Sequence, residues 1–463
     1  MLTRLKVSGF KNLVDVEVHF GAFTCIAGEN GVGKSNLFDA IRFLSALADK
    51  SLLEAAQSVR EETDIRNLFH RSGDHYSQAM LFEADMIVPD RVTDDFGREV
   101  EIKRNFLRYN LTLTYRGDPQ KPLEISHEAL QYLSQEEAKK LGFVTADWSI
   151  IKRGGGDRKP PIETDGNIIT QRGTGRPFNI ERSRLERTVL SNANSIVTPT
   201  ALAARREMQA WQLLQLEPSA LRQSDYFYAP DQLGSHGEHL AATLSRLARQ
   251  NANIYAQVAN RLSELLDDVR DLRVDRDEIR QLLTVQVTGR DGTRYPARAL
   301  SDGTLRFLAL AVLSHDSQVR GVLCLEEPEN GIHPSRITAI VDLLQSIAVD
   351  LETEVSEDNP LRQVIINTHS PLVVQAVPEE SLLFAQLQEM QRDGQRFKGM
   401  TFSALKDTWR AQLTRRTITK GALVNYLGTL PQSSKGGGQS RTKRVADRAD
   451  VQQLRLLVEP SDG

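Results

Sequence analysis

The chain opens on two stretches in which apolar and polar residues alternate. Residues 2–8 carry Leu5 and Val7 on one side, and residues 13–20 carry Val14, Val16, Val18 and Phe20. A period of two turns one face to a core and the other to water, which predicts an antiparallel strand pair. Phe23-Thr24-Cys25-Ile26-Ala27 is mostly apolar, the pattern of a strand buried on both faces. The period then changes. Leu37, Ile41 and Leu44 recur at helical spacing up to Leu47, which predicts a helix. Alternation returns at 79–90 and 99–116, most clearly at Leu107, Tyr109, Leu111, Leu113 and Tyr115.

Residues 117–225 are irregular, punctuated by Gly154-Gly155-Gly156, Lys159-Pro160-Pro161 and Gly173-Thr174-Gly175. Only 199–216 has a helical pattern. The stretch reads as a mixed insertion without the sustained heptads of a coiled-coil arm. Further on, 237–265 reads as helix through Leu240, Leu244, Leu247, Leu262 and Leu265. Leu282–Thr288 and Thr293–Ala297 flank Gly289-Arg290-Asp291-Gly292 as a hairpin would. An apolar helix is expected over 305–313, and buried parallel strands over 321–325 and 363–367. A crossover helix, 334–349, joins those two strands, and 382–386 adds an edge strand.

Composition narrows the class more than the chemistry. The 463 residues allow a large core, and a net charge of −3 gives no global basic footprint for nucleic acid. A local patch is the alternative, at Lys152, Arg153, Arg158 and Lys159. Both cysteines, Cys25 and Cys324, fall in apolar strands, so they read as core residues in a reducing setting. No signal peptide and no apolar run of membrane-spanning length is found. The expected location is cytoplasmic, away from membranes. Past Leu427 the composition shifts. Ser433 to Ser440 is a linker by composition, followed by Arg441, Lys443 and Arg444, so a flexible tail is expected from about residue 431.

Four motifs carry the chemistry, in fixed order. Gly28-Glu29-Asn30-Gly31-Val32-Gly33-Lys34-Ser35 fits the phosphate-loop pattern G-x-x-x-x-G-K-[ST], between the strand and helix that the pattern requires. Its backbone N–H groups would cradle phosphates. Lys34 would reach the β- and γ-phosphates, and Ser35 would ligate Mg²⁺. Glu326 and Glu327 end a buried strand, where an open sheet delivers catalytic groups. There Glu326 would hold Mg²⁺ and Glu327 would orient and deprotonate the attacking water. His369 stands just past the strand that ends at Asn367, within reach of a γ-phosphate. Leu300-Ser301-Asp302-Gly303-Thr304 has the composition of a helix cap. Its place before the acidic strand gives Ser301 and the N–H of Gly303 a second use, facing a γ-phosphate held by another subunit.

The set resembles ABC-type ATPase heads of the SMC, RecF and OLD branch, and most resembles the AAA-type ATPases of bacterial abortive-infection and anti-phage systems. Ser8-Gly9-Phe10-Lys11-Asn12, Gly28 to Asn36 with Asp39, Leu300 to Arg306, Glu326 to Pro334, and Thr368-His369-Ser370-Pro371 carry the likeness. The resemblance implies an α/β fold: a P-loop NTPase head with an antiparallel β subdomain and a mostly parallel core sheet. Residues 1–400 would form the head and 401–463 a C-terminal extension. It implies ATP and Mg²⁺, with Asn30, Gly31, Val32, Gly33, Lys34, Ser35 and Asn36 around the nucleotide and Ser301 and Gly303 reaching it from a second head. A homodimer or higher homo-oligomer and slow hydrolysis that switches a partner follow from the same likeness. Two departures stand out. Glu326 replaces the commoner aspartate, and the family's glutamine loop has no evident counterpart. OLD-type members continue into a Toprim nuclease. Only 386–463 remain here, with a faint echo at Val458-Glu459, so no built-in nuclease is expected. The reading is an ATPase that regulates a separate effector, a nuclease or toxin, in phage defence. A RecF-like DNA-repair ATPase and a nucleotide-gated scaffold with little turnover are the alternatives.

Overall fold

The computed structural model describes residues 1–60, 64–118, 121–143, 150–152, 159–264, 268–392, 395–414 and 416–419, with 423, 426, 444 and 445. Arg153, Arg158, the glycine run 154–156, the linker 433–440, Arg441, Lys443 and Val458-Glu459 lie outside these.

Two sheets organise the chain. The core sheet has six strands in the order Gln212–Leu214, Gly321–Glu326, Arg362–Thr368, Phe23–Ala27, Leu382–Arg392, Gln395–Ala404. All neighbours are parallel except the last pair. Successive residues of its strands feed opposite cores, as a doubly covered sheet requires. Cys324, Ile365 and Ile26 join one cluster, while Leu323, Leu325, Ile366 and Cys25 join the other. The first cluster packs the helix Lys34–Leu47 and the second sheet onto the core sheet. Helices Leu240–Gln250, Ile254–Ser263, Asp302–Ser314 and Ile337–Ile347 cover the far face.

The second sheet is antiparallel and has eight strands, with Leu2–Ser8 between Val16–His19 and Ala79–Ile87. Leu5, Val7, Val16, Val18, Leu111 and Leu113 all point to its buried face, so the period of two was a faithful guide to it. The α/β architecture with one antiparallel and one largely parallel sheet is therefore present.

Several expectations are sharpened or need correction. The stretch read as a mixed insertion, 117–225, is built into the sheets. Leu123–Tyr132, Ile162–Asp165, Ile168–Gln171 and Phe178–Glu181 continue the antiparallel sheet. The helix expected over 199–216 stops at Gln209, and Gln212–Leu214 instead pairs with the acidic strand as the rim of the core sheet. The helix expected over 237–265 is two, interrupted where Asn251 accepts the Asn253 N–H. The strand expected at the edge from 382 runs to Arg392 and lies inside the sheet. Strand Gln395–Ala404 crosses residue 400, and Arg410 beyond it is fully buried, donating to the His19 carbonyl and the Thr24 hydroxyl. The described part of the extension is thus packed against the two sheets. Among the described residues no helix is long and apolar enough to cross a membrane.

Candidate functional site

Three core strands end level with one another. The strand Arg362–Thr368 lies between the other two, and the registers pair Glu326 with Asn367, Asn367 with Ile26, and Thr368 with Ala27. The carboxyl ends of open parallel sheets are where such folds bind ligands. Here those ends present the glycine loop, Glu326-Glu327 and His369 side by side.

The glycine loop feeds the helix Lys34–Leu47, whose N-cap Gly33 is left-handed at φ 96°. A side chain at Gly33 is excluded twice over, by that φ and by Asn12 Nδ2, which would lie 2.1 Å from the added carbon. Asn12 pins the loop by donating to the Val32 carbonyl at 3.0 Å and accepting from Asn36 at 2.8 Å. Lys34 is buried, and its ammonium donates to the carbonyls of Gly28 and Glu29, each at 2.8 Å. Burial lowers the Lys34 pKa, and the charges of Glu327, Glu329 and Glu326 only partly restore it.

A cavity of about 640 Å³ opens beside the loop. Asn30, Gly31, Gly33, Lys34 and Ser35 line one side, and Glu326, Glu327, Pro328, Asn330 and Asn367 line the other. Glu327 stands at φ 46°, left-handed and unusual for a glutamate. Strain of this kind concentrates at functional sites. Its N–H donates to the Asn367 carbonyl and side-chain oxygen, each at 3.1 Å. Its carboxylate accepts from Asn330 at 2.9 Å and from His369 Nδ1 at 2.7 Å. Burial alone would raise this carboxyl. The bonds from Asn330 and His369, with the His369 and Lys34 charges, outweigh burial and hold it below its ordinary value. A carboxylate so held is an ionised base at neutral pH. Glu326 accepts from Arg60 at 3.3 Å, while Arg60 also clamps the buried Asp39 through Nε at 2.8 Å.

The remaining expected residues sit elsewhere. Val32 and Asn36 support the loop from behind. His369 reaches Glu327 without lining the cavity. Ser301 caps the helix Asp302–Ser314, accepting from Thr304 N–H at 3.2 Å, and neither it nor Gly303 lines this chain's own cavity. Gly303 packs against the loop after Glu327: an added carbon there would lie 2.6 Å from the Gly331 carbonyl. Of the expected basic patch, Lys152 pairs with Asp90 at 3.5 Å, and Lys159 has an interaction of its own.

Sequence reasoning missed Gln215, Glu217 and Arg60, and gave Arg306 only as the end of the segment Leu300 to Arg306, with no role at the cavity. Gln215 follows the rim strand and lines the cavity. The strand before it, Gln212-Leu213-Leu214, is too short to show a period and was absorbed into an expected helix. Arg306 also lines the cavity, donating to the Leu216 carbonyl at 3.0 Å and to the Asn330 carbonyl. Ser35 and Glu326 offer hard oxygen donors, few in number, as suits Mg²⁺ shared with phosphate oxygens.

The family described as "AAA domain, putative AbiEii toxin, Type IV TA system" matches residues 23–375. The chain belongs to this family. The matched span includes all four motifs and both cavity walls, so the kinship read from those motifs is borne out at family level. Among curated relatives, the DNA replication and repair protein RecF of Bacteroides thetaiotaomicron is 40% identical over 65 residues, which is 14% of this chain and 18% of that protein. RecF of Phocaeicola vulgatus is 30% identical over 113 residues, 24% of this chain and 28% of that protein. The chain thus matches under a third of the length of either relative, at 18% and 28%. A solved Smc head bound to the C-winged helix domain of ScpA is similar at 13% identity and TM-score 0.49, covering 88% of this chain and 98% of that one. The SMC head domain from Thermotoga maritima is similar at 10% identity and TM-score 0.39, covering 88% and 99%. At such identities and scores these two likenesses carry no functional weight. Membership of the AAA family, by contrast, implies a nucleotide-binding P-loop ATPase.

Proposed function

We propose that this protein binds ATP with Mg²⁺ in the cavity between Asn30–Ser35 and Glu326-Glu327 and hydrolyses it. The observation that carries the reading is Glu327: a strained, ionised carboxylate fixed by Asn330 and His369 across a cavity from Lys34. In this reading the loop N–H groups and Lys34 bind phosphates, and Glu327 takes a proton from the attacking water. His369 fixes the Glu327 carboxylate and reports the γ-phosphate. Ser35 and Glu326 hold Mg²⁺, which when bound neutralises phosphate charge. Gln215 is the candidate for the missing glutamine loop.

A second cavity of about 430 Å³ supports the nucleotide reading. It borders Asn12 and is lined by Phe397, His70 and Tyr76 with Lys11, Arg71, Arg396 and Lys398, and by no carboxylate among the described residues. Aromatic walls beside a phosphate loop suit stacking against the nucleoside end of the same ligand.

We further propose that two copies close around nucleotide, with Ser301 and Gly303 of one chain meeting the phosphate held by the other. The exposed position of Ser301, outside its own cavity, supports this. The ATP state would then regulate a separate effector, a nuclease or toxin, in cytoplasmic phage defence, a setting that the family's toxin–antitoxin description supports. The RecF similarity favours a second reading, a DNA-repair ATPase, and salt-sensitive DNA binding would mark it. The Arg60–Glu326 pair keeps a third in view, a nucleotide-gated scaffold with little turnover.

The test is phosphate release by the purified protein and by Glu327→Gln. Loss of a general base predicts a fall of about 100-fold or more with ATP affinity retained. Equal rates in the two proteins would sink the catalytic assignment.

A further inference from the structure

Glu329 lies two residues beyond Glu327, is 7% exposed, and does not line the cavity. A carboxylate that deeply buried needs a reason. One of its oxygens, Oε1, accepts from the Thr368 hydroxyl. The other, Oε2, is buried with no partner among the described residues. Burial raises the Glu329 pKa, and the Thr368 bond only partly offsets it. Burial thus works against the charged form of this carboxyl.

Thr368 is the hub that this acid grips. It is fully buried at the end of the strand Arg362–Thr368. Its hydroxyl oxygen also accepts the Ser370 N–H at 2.9 Å, which shapes the turn that carries His369. Its carbonyl accepts the Gly28 N–H at 3.3 Å, at the first glycine of the phosphate loop. Gly28 in turn presents its carbonyl to the Lys34 ammonium. The neighbours of Thr368 complete a ladder. Asn367 holds the Glu327 N–H, and His369 holds the Glu327 carboxylate. Every rung but one is made by backbone or by a cavity residue. The exception is Glu329 to Thr368.

We propose that Glu329 is a positioning residue for hydrolysis: through the Thr368 hydroxyl it locks the acidic loop to the strand end that carries His369, and so fixes Glu327 opposite the phosphate loop. The proposal rests on the hydrolytic reading of the same site. Glutamine keeps the shape and the acceptor oxygen that the Thr368 hydroxyl meets and so replaces Glu329, whereas alanine does not. Removing the hydroxyl with Thr368→Val breaks the same rung from its other end, together with the bond that oxygen accepts from the Ser370 N–H.

The experiment measures kcat for phosphate release and, separately, ATP affinity, in full-length wild type, Glu329→Ala, Glu329→Gln, Thr368→Val and the Glu329→Ala/Thr368→Val pair. Misplacing a catalytic group by a fraction of an ångström to an ångström costs about 10- to 100-fold, so Glu329→Ala and Thr368→Val are each expected to lose that much in kcat while affinity changes by less than about threefold. The double variant is expected to be no slower than the slower single one, and Glu329→Gln is expected to stay near wild type. If Glu329→Ala does not fold, Thr368→Val and Glu329→Gln still decide. A normal kcat in Thr368→Val, a parallel loss of kcat and affinity, or a Glu329→Gln as slow as Thr368→Val overturns the proposal. An inactive wild type, or an active Glu327→Gln, overturns the hydrolytic reading instead.

Discussion

Glu327 and Glu128 show how one residue type takes opposite protonation behaviour from its surroundings. Asn330, His369 and the Lys34 charge hold Glu327 low against its burial. Glu128 is fully buried between sheet and loop, accepting from the N–H groups of Val189 and Leu190 at 2.8 and 2.9 Å and from the Tyr109 hydroxyl at 3.1 Å. Burial wins over those three bonds and pushes it up to about 7 from 4.5. Because the folded pKa lies above the unfolded one, the associated stability is intact below pH 4.5. It falls as pH rises and is gone above about pH 7. A shift from 4.5 to about 7 amounts to about 3 kcal/mol. Melting temperature from pH 5 to 8 should therefore fall further in wild type than in Glu128→Gln. Parallel curves would contradict this. Both Lys34 and Glu327 were legible in the motifs. Gln215 was not, because it belongs to no pattern and only its position beside the cavity marks it; Arg306 ends the segment Leu300 to Arg306 that carried the likeness, but its place on the cavity wall shows only in the fold.

At the level of elements, long alternation was decisive and short alternation was not. The strand Phe106–Tyr115 offers five alternating apolar residues, enough to exclude a helix, whereas Gln212–Leu214 is three residues long and ends on two adjacent leucines. The parallel pairing of that rim strand with Gly321–Glu326 overrode its local preference. The helix Asp302–Ser314 fits both readings of its N-terminus, since Ser301 is a true cap and yet remains exposed to a partner. Its contact with the loop after Glu327 makes a prediction. Gly303→Ala brings a carbon within 2.6 Å of the Gly331 carbonyl, and overpacking of this kind costs about 1–3 kcal/mol. Lower melting temperature with slowed phosphate release is expected, because the displaced loop carries Glu327. A fully stable, fully active variant would show that the two elements are free to part.

For the whole molecule, the proposed assembly is a matter of which surfaces face outward. Ser301 is exposed and Asp302 is held by Arg222, so the start of the helix Asp302–Ser314 is presented rather than buried. In Glu327→Gln with ATP and Mg²⁺, a mass measurement should find about twice the apo mass, and Ser301→Arg should return it to that of one chain. Retention of the larger mass in Ser301→Arg would place the interface elsewhere. The sequence by itself determined the family, the order of the four motifs and the two periodicities that build the sheets, because each is a local pattern of a few to a dozen residues. Only the tertiary structure decided how Glu327, His369, Asn330 and Thr368 interlock, that 117–225 extends both sheets, and that Gln215 and Arg306 face the same cavity as Lys34. Those facts depend on strand register and long-range pairing. Residues hundreds of positions apart meet only once parallel strands are laid side by side, and no local pattern encodes that meeting.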